Sequence, residues 1–185
     1  FTLELNHIKF RYFINMNQLD KLIEVYKDFP KEGITYRDVL PILRSPTTYE
    51  SIIKKMSEYE ICKKADAILA IDSRGFLFGS AISFYSSKPL IVARKPGKLP
   101  GEIITNSYSL EYGSNSLSIQ LESIKQYQSF LIVDDLLATG GTIECAAKLI
   151  YSQKKIITGA LIVIELQELN GRSKFDFPVI SEISY

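Results

Sequence analysis

Phe130-Leu-Ile-Val-Asp-Asp-Leu-Leu-Ala-Thr-Gly-Gly-Thr142, continued by Ile143-Glu-Cys-Ala-Ala-Lys-Leu-Ile-Tyr151, decides how the chain is organised. Phe130 to Val133 is a short apolar run rich in β-branched residues, the pattern of a buried parallel strand. Asp134 and Asp135 place two carboxylates at its carboxyl end, where open α/β sheets bind ligands. Ala138 to Thr142 is a loop of small residues. Ile143, Ala146, Ala147 and Ile150 follow at helical spacing. Strict strand alternation would send the two aspartates to opposite faces, so the chain is expected to be turning already at that point.

The residue types of this loop specify a chemistry. Gly140 and Gly141 accept φ > 0 and let the backbone approach a ligand closely. Thr139 and Thr142 add hydroxyl donors. Successive N–H groups opening a helix make an anion nest, and the helix dipole reinforces it. A phosphate suits that nest. The aspartates would repel a bare phosphate, so they call for hydroxyls to accept from, or for a bound cation. A sugar bearing both a phosphate and a free diol satisfies both halves. The string is neither a Walker loop, which needs Gly-Lys-Ser/Thr, nor the Gly-x-Gly-x-x-Gly dinucleotide fingerprint. Two glycines alone would suit any strand–turn–helix. The whole string resembles the phosphoribosyl-pyrophosphate (PRPP) loop of the type I phosphoribosyltransferases.

The rest of the chain supplies the frame for such a loop. Its 185 residues predict one domain, and 46% hydrophobic with 23% charged residues is an ordinary globular composition. A formal net charge of +1 provides no bulk field for nucleic acid or membrane. There is no signal peptide or apolar run near ~20 residues, so no membrane span is expected. Cys62 and Cys145 lack metal-type spacing and are expected to be packed thiols of a reducing, cytoplasmic setting. His7 is the single histidine and stands apart from every motif, which argues against histidine catalysis.

Leu19, Leu22, Ile23 and Tyr26 fall at helical spacing and predict a first helix; Phe1 to Asn15 has no clear period and would be an extra strand or a strap. Ser45-Pro46 opens a helix with apolar face Tyr49, Ile52, Ile53, Met56 and Tyr59. Ala67 to Ile71 is a second buried strand, Phe76 to Ser86 its helix, and Leu90 to Ala93 a third strand. Thr105 to Leu110 and Leu117 to Gln120 are expected to pair as a hairpin across Tyr112-Gly-Ser-Asn-Ser. Ile156 to Ile164 reads as the last long strand. Strands alternating with helices give an α/β fold, an open, mostly parallel sheet covered on both faces. The hairpin breaks the alternation and is the candidate lid.

Four further segments carry polar groups. Asp72-Ser73-Arg74-Gly75 ends a strand and opens a helix, and an arginine there can pair bidentately with phosphate oxygens. Arg94-Lys-Pro-Gly-Lys-Leu-Pro-Gly101 offers the cations Arg94, Lys95 and Lys98 on a Pro/Gly-punctuated segment suited to closing over an anion. Asn106-Ser-Tyr-Ser-Leu-Glu-Tyr-Gly113 holds a lone acid, Glu111, suited to proton transfer. Gly33-Ile-Thr-Tyr-Arg-Asp38 is a short polar–aromatic stretch after a turn.

Together these segments resemble one family, adenine phosphoribosyltransferase. Gly33 to Asp38, Asp72 to Gly79, Arg94 to Gly101, Ser107 to Gly113 and Val133 to Thr142 occur in that family's order and at about its spacing, and Leu169-Asn-Gly-Arg172 also fits. The likeness runs from about Phe29 to the carboxyl terminus. Tyr36 departs from the family's usual phenylalanine, Thr35 from a common aliphatic residue, and Ala70 from a glycine.

The resemblance implies the type I phosphoribosyltransferase fold in a single domain spanning 1–185. Residues 1 to about 40 would form an amino-terminal segment and base-binding hood, and about 94–120 a hairpin lid. It implies transfer of the 5-phosphoribosyl group from PRPP to N9 of adenine, giving AMP and pyrophosphate through an oxocarbenium-like transition state. Ala138, Thr139, Gly140, Gly141 and Thr142 would hold the 5′-phosphate; Asp134 and Asp135 the ribose hydroxyls. Asp72, Ser73, Arg74, Arg94, Lys95 and Lys98 would receive the pyrophosphate, with a cis peptide at Asp72–Ser73. Tyr36 and Leu136 would sandwich the purine, the Thr35 backbone would read its N1 and 6-amino edge, and Arg37 would support the pocket. Glu111 would shuttle the proton and, with Arg74, carry the catalytic role. Mg²⁺ would bind mainly through substrate and water. A homodimer is also implied. Two other readings share parts of this pattern. One is a phosphoribosyltransferase for another purine. The other is a non-catalytic PRPP-sensing regulator, which would need neither Glu111 nor the lysine-rich lid.

Overall fold

The structure, a computed structural model, describes residues 19–109 and 114–185. Two short strands, β1 (Glu24–Tyr26) and β2 (Tyr36–Asp38), pair antiparallel. Helices α1 (Leu40–Leu43), α2 (Pro46–Glu58) and α3 (Glu60–Lys63) lead to β3 (Ala67–Ile71). Then come α4 (Gly75–Ser86), β4 (Leu90–Ala93), the antiparallel pair β5 (Ile103–Ser109) and β6 (Ser114–Gln120), and the short α5 (Leu121–Ile124). The chain continues as β7 (Ser129–Leu137), α6 (Gly141–Ser152) and β8 (Ile156–Glu165). Two 3-10 turns, Gln167–Leu169 and Gly171–Lys174, precede β9 (Val179–Ser184).

β3, β4, β7, β8 and β9 form one sheet in the order β4-β3-β7-β8-β9, and every pairing in it is parallel. Its central strands are buried on both faces, which is why they read as continuous apolar runs. Ala67, Leu69 and Ile71 of β3 and Phe130 and Ile132 of β7 pack with α6 and the β5–β6 pair. Ile68, Leu131 and Val133 point the other way, onto α2, α3 and α4. Phe130 and Phe78 are fully buried, one on each side. Truncating either to alanine would cost about 3–5 kcal/mol.

The strands expected at Ala67–Ile71 and Leu90–Ala93 have those bounds, and α2 begins at the Pro46 of Ser45-Pro46. Cys62 and Cys145 are free and buried. Four expectations need correction. The helix over Leu19 to Tyr26 is cut short. Leu22 and Ile23 donate to Leu19 and Asp20, and the chain then straightens into β1, where pairing with β2 satisfies the backbone and Tyr26 lies exposed. The strand carrying the aspartates does not end at Val133 but stays in the ladder to Leu137. The hairpin ladder is longer than expected. Ser114 to Ser116, read as turn, pair with Ser107 to Ser109, helped by a hydroxyl contact of 2.9 Å between Ser107 and Ser116. Finally, β8 is not the last strand. β9 joins its edge, and it escaped notice because its sequence, Val-Ile-Ser-Glu-Ile-Ser, buries a glutamate. Glu182 is 4% exposed and tolerable there because Lys55 of α2 reaches it at 2.7 Å. Phe1 to Asn15, His7 and Glu111 lie outside the described residues.

Candidate active site

At the carboxyl ends of β3 and β7 the backbone opens into a cleft of about 310 Å³. Its floor is the turn from β7 into α6. Gly140 sits at φ +81°, a left-handed conformation suited to glycine, and caps α6 with no side-chain cap. The first helical bond runs from the Glu144 N–H to the Gly140 carbonyl, 2.9 Å. The N–H groups of Gly141, Thr142 and Ile143 therefore precede the ladder, at the positive end of the helix dipole. That is an anion cradle by construction.

The cradle is backed by the turn after β8. A Cβ on Gly140 would stand 2.7 Å from the Gly171 carbonyl oxygen, and one on Gly171 would stand 2.2 Å from the Ala138 carbonyl. Glycine at both positions lets two backbones touch. Arg172 fastens this turn, donating to Glu165 at 2.9 and 2.5 Å and to the Val179 carbonyl. The Arg172 hydrogen bond holds the Glu165 carboxyl below its ordinary range.

Asp134 and Asp135 are 7% and 5% exposed, and both line the cleft. The side-chain alternation of β7 breaks across them. Leu136 packs on the α4 side and Leu137 on the α6 side, the reverse of what Ile132 and Val133 would dictate. The chain keeps its ladder yet rotates, so both acids serve one cavity. The Asp135 N–H donates to Asp134 Oδ1 at 2.9 Å, and Asp135 Oδ2 accepts from Arg74 Nε at 2.5 Å. Burial, and then the charge of Asp135, push the Asp134 carboxyl well above the ordinary range. Burial opposes the Arg74 charge, but the Asp135 carboxylate outweighs it and raises the guanidinium's hold on its proton.

Arg74 stands at the amino terminus of α4, just after a cis peptide bond between Asp72 and Ser73. Asp72 accepts from Arg94 Nε at 3.2 Å. Gly75 leaves no space for a side chain, since a Cβ would stand 2.8 Å from the Val133 carbonyl and 2.9 Å from Asp134 Oδ1. Helix α4 thus presses its first turn against the acid pair.

Among the described residues, the cleft brings together Asp72, Ser73, Arg74 and Lys95 with Asp134, Asp135, Leu136 and the whole run Ala138 to Thr142. Tyr36 stands just outside and reaches in through its hydroxyl, which accepts from Arg74 Nη1 at 3.1 Å. Arg37 turns elsewhere: its guanidinium lies 4.2 Å from the Tyr185 ring centroid. Thr35, Arg94 and Lys98 do not line the cleft; the Lys98 carbonyl accepts from Arg94 Nη1 at 3.4 Å. One lining residue went unread in the sequence, and one was read without its role. Asn115 lines the cleft from β6, hidden because its segment looked like a turn. Gly171, within the Leu169-Asn-Gly-Arg172 segment that fits the family, backs the cradle, a role the sequence did not reveal.

The model of the phosphoribosyl transferase domain matches residues 37–176. The adenine phosphoribosyltransferase of Prochlorococcus marinus (strain AS9601) is 57% identical over 169 residues, 91% of this chain and 99% of that protein. The chain belongs to the adenine phosphoribosyltransferase family. The namesake enzyme of Mycoplasmopsis pulmonis is 46% identical over 157 residues, 85% of this chain and 91% of that one. The crystal structure of adenine phosphoribosyltransferase from Thermoanaerobacter pseudethanolicus superposes with a TM-score of 0.85 at 38% identity, covering 92% of this chain and all of that one. The Saccharomyces cerevisiae enzyme, complexed with an imino-altritol bisphosphate and adenine, gives 0.80 at 34% identity, with 90% and 97% covered.

The adenine phosphoribosyltransferase fold described here is thus the type I phosphoribosyltransferase fold, and the chain is a transferase. Asp72, Asp134 and Asp135 offer carboxylate oxygens, the donor class a hard divalent cation takes. Asp72 and Asp135 are each held by an arginine, and no cluster of three acidic, histidine or cysteine side chains stands ready for a metal among the described residues. No helix among those residues is long and apolar enough to cross a membrane.

Proposed function

We propose that this chain carries out the transfer its family is named for, moving the 5-phosphoribosyl group of PRPP to N9 of adenine with release of pyrophosphate, and does so in the cleft between β3 and β7. One observation carries the assignment: a glycine-capped helix start and a buried acid pair share a cavity with Arg74 and Lys95. The N–H groups of the Ala138 to Thr142 turn hold the 5′-phosphate. Asp134 and Asp135 face the ribose hydroxyls, and the Asp135 carboxylate sets negative charge near the carbon that becomes cationic as the bond breaks. Ser73, Arg74 and Lys95 receive the pyrophosphate, with Arg94, Lys98 and Asp72 framing them. Asp72 and Asp135 stand where a Mg²⁺ ion would be held, mainly through substrate and water, and it would supply positive charge to the departing pyrophosphate.

The purine is assigned to the side of the cleft where Leu136 and Tyr36 stand, with the Thr35 backbone on its 6-amino edge and Arg37 behind. Hypoxanthine would reverse the polarity of that edge and leave buried groups unpaired, a strong source of discrimination. Residues 1 to about 40 act as hood and about 94–120 as lid, all within one domain. The lid brings Glu111 to the base as proton shuttle. A homodimer in the cytoplasm completes the reading; Phe84, 89% exposed, and Tyr85 on α4 are apolar surface for a second copy to cover.

The test is a PRPP- and Mg²⁺-dependent assay with adenine, hypoxanthine, guanine and xanthine side by side. AMP from adenine, with little product from the 6-oxo purines, is expected. Product from hypoxanthine or guanine alone would move the chain to another purine, and no turnover on any base would make it a PRPP sensor. Light scattering at two concentrations reads the oligomer.

A further inference from the structure

We propose that the Tyr36 hydroxyl is a positioning group that ties the base side of the cleft to the leaving-group side by holding the Arg74 fork. The inference rests on the functional reading above and assigns Tyr36 a second task beyond stacking.

Arg74 is held at two points of its guanidinium. Nε donates to Asp135 Oδ2 at 2.5 Å, and Nη1 donates to the Tyr36 hydroxyl at 3.1 Å. The guanidinium carbon lies 5.6 Å from the Tyr36 ring centroid, so the polar tip of the ring makes the hydrogen bond. Tyr36 is itself fixed. It belongs to β2, pairs with Tyr26 across the β1–β2 ladder, and meets the Phe29 ring edge-on at 5.2 Å between centroids. The hydroxyl is thus a fixed acceptor in front of a half-exposed arginine whose other anchor is a buried carboxylate.

Without substrate, Asp135 and Tyr36 share the guanidinium. When ribose hydroxyls donate to Asp135 they compete with Arg74 Nε for that carboxylate. The arginine then turns its freed N–H groups toward pyrophosphate. A planar fork held at one end by Tyr36 can only swing about that point, so the phosphate it reaches is set by where β2 places the hydroxyl. Without that hold, Arg74 would have to be ordered by pyrophosphate itself, at an entropic cost to binding.

The test is Tyr36→Phe, which keeps the ring, its Phe29 contact and any stacking on adenine. KM for PRPP in the forward reaction, and for pyrophosphate in the reverse, should rise about tenfold, the cost of ordering one arginine side chain on binding. KM for adenine should stay near its native value. In the cycle with Arg74→Gln, the second substitution should add little to the first. A KM for pyrophosphate unchanged in Tyr36→Phe, additive losses in the cycle, or a change confined to adenine KM would each overturn the proposal. The functional reading fails separately, if the native chain itself makes no AMP from adenine.

Discussion

Burial and the adjacent Asp135 charge raise the Asp134 carboxyl well above its ordinary range, so the folded chain keeps a proton there that the unfolded chain releases. The sign follows from linkage. The contribution of Asp134 to stability is full below the ordinary aspartate value of 3.8 and is lost as pH rises through the higher folded value. Asp134→Asn keeps the Oδ1 acceptor that the Asp135 N–H needs. It should therefore unfold at higher temperature than the native chain at pH 8, with the difference vanishing toward pH 4. Thermal melts across that range check it, and a lower Tm at pH 8 would contradict it. On the proposed reading only the sugar meets the acid pair, so the same variant should bind PRPP and AMP more weakly while leaving free adenine unaffected. Glu111→Gln tests the proposed proton shuttle instead. It should lower kcat far more than it weakens PRPP binding, and an unchanged kcat would remove Glu111 from proton transfer.

Two elements meet at the cradle, the start of α6 and the 3-10 turn at Gly171, and each leaves the other no space for a side chain. Gly171→Ala must push back the Ala138 carbonyl. Steady-state kinetics should show KM for PRPP raised tenfold or more, a cost of about 1.4 kcal/mol or more, with adenine KM little changed. Equal losses for both substrates would mean general damage. Arg172→Met tests the fastening of the same turn. It strips a buried carboxylate of its charged partner, so about 1–3 kcal/mol of stability should go at pH 7. Glu165 is held below its ordinary value of 4.5, so its contribution is present above that value and is lost as pH falls through the folded one. The cost of the substitution should shrink accordingly in acid. Elements of this kind were unevenly legible. The strand of β3, the helix opening at Pro46 and the loop from Ala138 to Thr142 announced themselves, because local period and turn chemistry fix them. β9 did not, since burying Glu182 depends on a lysine from distant α2. Nor did the contact of Gly140 with Gly171, which two loops far apart in sequence make only when folded.

At the scale of the molecule, the sheet order β4-β3-β7-β8-β9 puts β3 and β7 side by side and so brings Arg74 to Asp135 across 61 residues of chain. Spacing along the sequence indicated that both motifs concern phosphate; only the fold shows that they guard one cleft and already hold each other by an ion pair. That pairing has a thermodynamic consequence. On the proposed reading AMP offers the cradle a phosphate and Asp135 a diol; binding the folded state alone, it should add about 2.7 kcal/mol of stability at a hundredfold excess over its Kd. For a chain of this length that is a rise of roughly 5–11 °C in Tm. Gly140→Val cannot hold the left-handed turn or clear the Gly171 carbonyl, and should lose most of that rise while melting cooperatively without ligand. Adenine alone, assigned to neither the cradle nor the acids, should produce a rise that survives in Gly140→Val. If instead the variant kept its full response to AMP, the nucleotide would be stabilising the chain from somewhere other than the amino terminus of α6.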